Sequence, residues 1–153
     1  MLADAISLTF LLVFISPIIM FFKDNDNWWL WLLLLVIITE TLVAFIKIIF
    51  GKISPNFEKI SLRPEDAYNC NTFCTGGAVG GKPGFPSGHM ATTTMFVVML
   101  WLHFANNYIL LLGIPWILLM AWSRWSKKCH TWEQIIAGIF TGGLFAYIYE
   151  FIF

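Results

Sequence analysis

Charged residues are scarce in this chain. Asp, Glu, Lys and Arg make up 12% of its 153 residues, whereas 59% are hydrophobic. Such a chain could not cover its own surface with polar groups in water, so the composition excludes an ordinary soluble domain and is typical of a membrane protein. Nine basic and nine acidic residues give a formal net charge of zero. We therefore expect no binding to nucleic acid through a global basic field.

Cysteine is rare, and paired carboxylates are missing. The three cysteines, Cys70, Cys74 and Cys129, all fall in polar segments. Without further ligands they do not predict a zinc site. Cys70 and Cys74 could pair in a disulfide on an oxidising face, although free thiols are the default expectation. Because no carboxylate pair is available to hold a divalent cation, we expect neither a metal nor another cofactor.

Long apolar runs are abundant and define the predicted fold. They cover residues 2–22, 28–50, 89–105, 108–122 and 134–153. A helix needs about 20 residues to cross a hydrocarbon core of about 30 Å. We therefore predict an all-α, multi-pass integral membrane protein, with one domain over 1–153 built as a bundle of about five transmembrane helices. Pro17 predicts a kink in the first helix, and Gly138 and Gly142 would let a neighbour pack closely on the last, although small residues are common in membrane helices anyway.

Two polar segments separate these runs, residues 51–88 and 123–133. The helices between them cross the membrane away and back, so both segments should lie on the same face. Most basic residues share this face: Lys47, Lys52, Lys59, Arg63, Lys82, Arg124, Lys127 and Lys128. The positive-inside rule would place the face in the cytoplasm, but cations placed for chemistry say little about insertion.

The stretch from Gly76 to His89 is a glycine-rich loop that leads into a hydrophobic helix. Pro86 fixes the chain before the turn, and Ser87 can cap the helix, whose first N–H groups could then face a phosphate. His89 would be a titratable group beside that anion. Taken alone, the stretch is better explained as ordinary turn chemistry.

Three motifs give the stretch a context: Arg63-Pro64, Pro86-Ser87-Gly88-His89, and Ser123-Arg124 followed after five residues by His130. In residue type and order they resemble the signature of the type 2 phosphatidic acid phosphatases, lipid phosphatases that share a helical core with vanadium haloperoxidases. The likeness extends from the second apolar run to the end of the chain. The stretch His-Thr-Trp-Glu-Gln that begins at His130 is similar to the dolichyl and polyprenyl diphosphate phosphatase branch.

Two positions depart from the family pattern. The family's first motif has a lysine seven residues before the arginine, where this chain has Asn56; Lys47 and Lys52 are the alternative candidates. The family also has an aspartate four residues after the second histidine, where this chain has Gln134. On a helix His130 and Gln134 share a face, so the amide oxygen can still accept a hydrogen bond from the imidazole.

The resemblance implies a metal-independent phosphatase that acts on a lipid phosphate or polyprenyl diphosphate at the membrane interface. His130 would be the nucleophile that forms a phosphohistidine, His89 the proton donor, and Gln134 the group that orients His130. The phosphate would be bound by Arg63, Arg124, Ser87, Gly88, Ser123, Lys47 and Lys52. Three alternatives stay open: a catalytically decayed binding or structural protein on the same scaffold, a vanadate-dependent oxidation, and phosphoryl transfer to an acceptor other than water.

Overall fold

The computed structural model describes residues 1–53 and 58–152, with side chains for 1–51 and 60–152. Within these residues the regular structure is helical, and the strand-like pairings are two isolated bridges in the loop between residues 61 and 84. The helices are α1 Leu2–Leu8, a 3₁₀ turn Thr9–Leu11, α2 Leu12–Asp24, α3 Trp28–Ile53, α4 Glu58–Ser61, α5 Gly88–Phe104, α6 Asn107–Ser126 and α7 Trp132–Ile152. The prediction of an all-α membrane protein is confirmed.

Four stretches among the described residues are long and apolar enough to cross a membrane: Leu2–Asp24, Trp28–Gly51, Asn107–Ser126 and Trp132–Ile152. The sequence predicted about five, and the difference is α5, which has only 17 residues. The fourth run is longer than predicted, because α6 continues past residue 122 to Ser126. Ser123 and Arg124 therefore belong to a helix and not to the polar link.

Helix α5 lies at the centre of the bundle. Its first ten residues are all buried, and it packs chiefly on α7, then on α6 and α3. Gly138 and Gly142 make the contact with α7 close: a Cβ at Gly138 would lie 2.6 Å from the Ser87 carbonyl oxygen, and one at Gly142 would collide with the Ala91 carbonyl. The predicted close packing at these glycines is confirmed, and α5 is the partner.

The N-terminal segment departs from regular α geometry at Thr9–Leu11, whereas Pro17 lies inside α2. The irregularity is thus upstream of the position that the proline predicted. Helix α1 packs against α6, where the Ser123 hydroxyl donates to the Ala3 carbonyl at 2.6 Å. The Trp116 indole N–H donates to Thr9 Oγ1 at 2.8 Å, which ties the 3₁₀ turn to α6.

The polar loop that follows α4 folds over one end of the bundle and meets the link between α6 and α7. A disulfide joins Cys70 to Cys129 across this contact, and Cys74 is a free thiol. The sequence-based alternatives for Cys70, a bond to Cys74 or a free thiol, are both wrong. Spacing along the chain favoured the nearer cysteine, but the fold places Cys129 beside Cys70.

Candidate active site

His130 lies at the end of the link before α7 and is 2% exposed. Its Nδ1 is 2.9 Å from Oε1 of Gln134, one helical turn further on. The Gln134 amide nitrogen donates to the carbonyls of Ile60 at 2.9 Å and Leu62 at 2.7 Å. Both amide hydrogens are then used, so the oxygen must face His130 and Nδ1 must carry the hydrogen. The imidazole therefore presents its Nε2 lone pair on the other side.

Arg63 faces that lone pair. Its Nη1 is 3.5 Å from His130 Nε2 and donates to the Cys129 carbonyl at 3.1 Å. Gly84 makes room for this arrangement, because a Cβ there would lie 2.7 Å from both Arg63 Cγ and Gln134 Oε1. Burial lowers the pKa of Arg63, but a guanidinium remains charged at neutral pH.

Burial lowers the pKa of His130 well below its usual value, and the positive charge of Arg63 lowers it further. Arg124 and Lys47 act in the same direction, while the hydrogen bond that His130 donates to Gln134 opposes them. A desolvated imidazole among fixed cations favours its neutral form. His130 is thus an uncharged base at neutral pH, which is the state a nitrogen nucleophile needs.

His89 lies in the first turn of α5 and is 8% exposed. Its ring stacks on Phe10 with centroids 4.2 Å apart and an interplanar angle of 25°. Its electrostatic neighbours include His130, Arg124, Lys47 and Arg63. The structure thus brings both predicted catalytic histidines into one neighbourhood with Arg63, Arg124 and Lys47 at the end of the bundle.

Three buried polar atoms in this neighbourhood have no hydrogen-bond partner: Ser87 Oγ, His89 Nε2 and Arg124 Nε. Ser87 occupies the N-cap position of α5 but makes no side-chain capping bond, so its hydroxyl does not do what the sequence predicted. Its backbone N–H donates to the Gln134 carbonyl at 3.0 Å. Unsatisfied buried groups are costly and call for a ligand or water. The unpartnered set fits a phosphate, which accepts from all three types of group.

Arg124 is fully buried at 0% exposure. Its Nη1 donates to Ser7 Oγ and its Nη2 to the Cys70 carbonyl, both at 2.6 Å. These two bonds fix the plane of the guanidinium. Because Nε has no partner, it remains available to an anion.

Lys47 and Glu40 approach the start of α5 from α3. A Cβ on Gly88 would lie 3.3 Å from Lys47 Nζ and 3.5 Å from Glu40 Oε2. Thr92 donates to the Glu40 carboxylate at 2.5 Å, which supplies the partner that an acidic group inside an apolar helix requires. Lys47 is therefore placed beside Gly88, whereas the Lys52 side chain lies outside the described residues.

Ser123 contacts the N-terminal segment. Its hydroxyl is buried and donates to the Ala3 carbonyl, so its single O–H is already used. A role of Ser123 in phosphate binding therefore stays a prediction.

An open cavity of about 400 Å³ reaches His130 from the surface. Trp125 and Trp132 stand on its rim, with ring centroids 5.6 Å apart. Asp66 and Lys128 form an ion pair there, which lowers the pKa of Asp66. Across the described part of the chain, no three His, Cys, Asp or Glu side chains converge as metal ligands would.

Sequence reasoning missed the contacts that Ser7 makes with Arg124 and Phe10 makes with His89. No motif marks either residue, because one serine and one phenylalanine in an apolar run are ordinary. The partner of Glu40 was also missed, although the cost of a carboxylate inside an apolar run signalled that a partner was needed.

Comparison with known proteins identifies the family of this chain. No curated protein and no solved structure matches the chain. A family model described as PAP2 superfamily matches residues 28–152, which include His89, His130, both arginines and Gln134. This match supports a phosphatase-type function. The chain belongs to the PAP2 superfamily.

Proposed function

We propose that this protein is a membrane phosphatase that hydrolyses a lipid phosphate or polyprenyl diphosphate through a phosphohistidine, without a metal. One observation carries the proposal. Gln134 is held by two carbonyls and orients His130 so that its Nε2 lone pair faces Arg63. A neutral, oriented imidazole next to a guanidinium is suited to attack a phosphorus whose oxygens that guanidinium binds.

In the first step the His130 Nε2 lone pair forms a bond to phosphorus. The bond between phosphorus and the leaving oxygen breaks, and its electron pair stays on that oxygen. His89 gives that oxygen a proton, so the alcohol or lipid phosphate leaves with its leaving oxygen protonated. Arg63 and Arg124 hold the charge on the equatorial oxygens, as cations do in other phosphoryl transfers.

In the second step water replaces the leaving group. His89, now unprotonated, takes a proton from the water as the water oxygen attacks phosphorus. The P–N bond breaks, its electron pair returns to His130 Nε2, and inorganic phosphate departs. The amide of Gln134 keeps the Nδ1 hydrogen in place throughout, so the nucleophile returns in the same tautomer.

A lipid substrate is supported by where the cavity opens. Trp125 and Trp132 at its rim are exposed and lie at the ends of two apolar helices, and tryptophan is favoured at headgroup depth. A phosphate at the membrane surface with its tail in the bilayer would reach His130 already oriented, which removes part of the entropic barrier.

The test is to trap the intermediate. Purified protein is mixed with polyprenyl diphosphate, phosphatidate or phosphatidylglycerol phosphate that carries a ³²P label in the terminal phosphate, and is quenched in alkali within milliseconds. We expect an alkali-stable, acid-labile label on the peptide that contains His130, and none in His130→Gln. Phosphate release without any such label would overturn the phosphohistidine route. A folded protein that releases no phosphate from any of these lipids would favour the catalytically decayed alternative.

A further inference from the structure

The family match begins at residue 28, yet two side chains from the segment before it contact the candidate active site. Ser7 bonds Arg124, and Phe10 stacks on His89. We infer that this N-terminal helix completes the active site, with Ser7 as a positioning residue for Arg124 and Phe10 as a positioning residue for His89. The inference rests on the proposed function, since it assigns roles within that reaction.

Ser7 restricts the orientation of Arg124. A free guanidinium turns about its flexible stem, and placing it at a phosphate costs conformational entropy. Here Ser7 Oγ accepts from Nη1 at 2.6 Å while the Cys70 carbonyl accepts from Nη2 at 2.6 Å. Two acceptors on opposite nitrogens fix the plane, and the unpartnered Nε is left to bind substrate. Both Ser7 and Arg124 are 0% exposed, so water does not compete for these bonds.

Phe10 restricts His89 without occupying its nitrogens. The phenyl ring lies nearly parallel to the imidazole and is 1% exposed. A hydrocarbon face packs against the ring but accepts no N–H hydrogen bond, so Nε2 remains free for the proton transfers that the mechanism requires.

The backbone brings the two residues to one side. Ser7 and Phe10 are three positions apart, which places both on the same helical face. The 3₁₀ turn Thr9–Leu11 lies between α1 and α2, and Trp116 holds it through Thr9 Oγ1 at 2.8 Å. The turn is therefore anchored to α6, the helix that carries Arg124.

Ser7→Ala tests the first role. Without its acceptor Arg124 loses its fixed orientation, so we expect KM to rise about tenfold with kcat nearly unchanged, the size of one lost hydrogen bond to a charged group. The inhibition constant for vanadate, which imitates five-coordinate phosphorus, should rise by the same factor. Ser16→Ala is the matched control, because Ser16 lies in the same N-terminal segment and its hydroxyl donates to the Leu12 carbonyl.

Phe10→Leu tests the second role. If Phe10 holds His89 as the proton donor, its loss should slow alkyl phosphates, whose leaving oxygen needs a proton, about tenfold more than p-nitrophenyl phosphate, whose leaving group does not. Phe10→Met provides a second variant if the leucine form does not accumulate. Phe22→Leu is the control, because Phe22 is 78% exposed and lies at the opposite end of the N-terminal segment from Ser7.

The outcomes separate this inference from the proposed function. An inactive wild-type protein, or activity that survives His130→Ala, rejects the proposed function itself. An active wild type in which Ser7→Ala and Phe10→Leu match Ser16→Ala and Phe22→Leu in KM, vanadate inhibition and leaving-group ratio overturns the inference alone. Each readout is a constant or a ratio, so a smaller folded fraction neither produces nor hides it.

Discussion

The two ends of α5 carry the same contact in different surroundings. At one end His89 stacks on Phe10 at 4.2 Å, and at the other His103 stacks on Trp28 at 3.8 Å. His89 is buried near His130 and the guanidinium groups, whereas His103 is exposed beside aromatic rings. An imidazole stacked on an aromatic ring is therefore not enough to define a reactive site. The difference is made by buried cations and by donors that still lack a partner.

Removal of the proposed nucleophile should have the largest effect on activity. We expect His130→Ala to lower kcat/KM for lipid phosphate by about 10⁴-fold, as loss of a nucleophile does in other enzymes. His103→Ala should change it less than about twofold, because no step of the proposed reaction uses that ring. Phosphate release from detergent-solubilised protein measures both. Equal losses in the two variants would contradict the distinction between the two ends.

Replacing the proton donor should have the next largest effect. We expect His89→Gln to reduce kcat on a lipid phosphate by roughly 10²-fold to 10⁴-fold, the usual contribution of a positioned acid. His103→Gln serves as the partner variant at the other end of the helix. Comparable activity of His89→Gln and wild type would show that the leaving oxygen is protonated by another group.

The disulfide between Cys70 and Cys129 should matter for stability. Its half-cystines are 59 residues apart in sequence, so Cys70→Ser combined with Cys129→Ser should lower the free energy of unfolding by roughly 4 kcal/mol in the loop-entropy account. Thermal unfolding in detergent measures this loss. Cys74→Ser is the control and should behave as wild type. An unchanged melting temperature in the double variant would contradict the expectation.

The pH dependence should reflect the surroundings of His130. Since burial and the neighbouring cations lower the pKa of His130, its neutral form persists on acidification, and the acidic limb of kcat/KM should lie below the unperturbed value of about 6.5. Gln134→Glu places a carboxylate beside the imidazole N–H of His130. This negative charge should raise the pKa of His130 and so move the acidic limb upward by about one pH unit. Glu150→Gln, at the far end of α7, is the control. A limb that stays in place would show that His130 does not determine it.

The smallest expected effect is that of a chelator. If fixed cations do the work of a metal, activity in EDTA should stay within about twofold of the untreated protein, because no step depends on a bound ion. Phosphate release before and after dialysis against EDTA measures this. Abolition by EDTA that is reversed by Mg²⁺ would contradict a mechanism in which Arg63 and Arg124 hold the phosphate charge without a metal.

Much of the fold was readable from the sequence because membrane helices carry strong local signals. Apolar runs and their polar interruptions located the main helices within a few residues. The end of the fourth run was misjudged, since Ser123 and Arg124 are polar and yet helical. Their polarity is satisfied by Ala3, Ser7 and Cys70, partners that no local pattern reveals.

Part of the candidate site could also be predicted from local sequence signals. Motif order placed His89, His130 and Arg63 near one another, and helix periodicity paired His130 with Gln134. Residues that act through tertiary contact alone, such as Phe10, carry no periodic or compositional signal. The Cys70–Cys129 bond was missed because sequence spacing does not report which loops touch.

The glycines at positions 138 and 142 affect how closely α7 approaches α5. Gln134, which orients one imidazole, sits on the helix that these glycines press against α5, and α5 carries the other imidazole. The approach of α7 to α5 therefore depends on the missing side chains at both positions, since a Cβ at either one would strike the backbone of Ser87 or Ala91. We expect an alanine at either glycine to push the two helices apart, and with them Gln134 and His89.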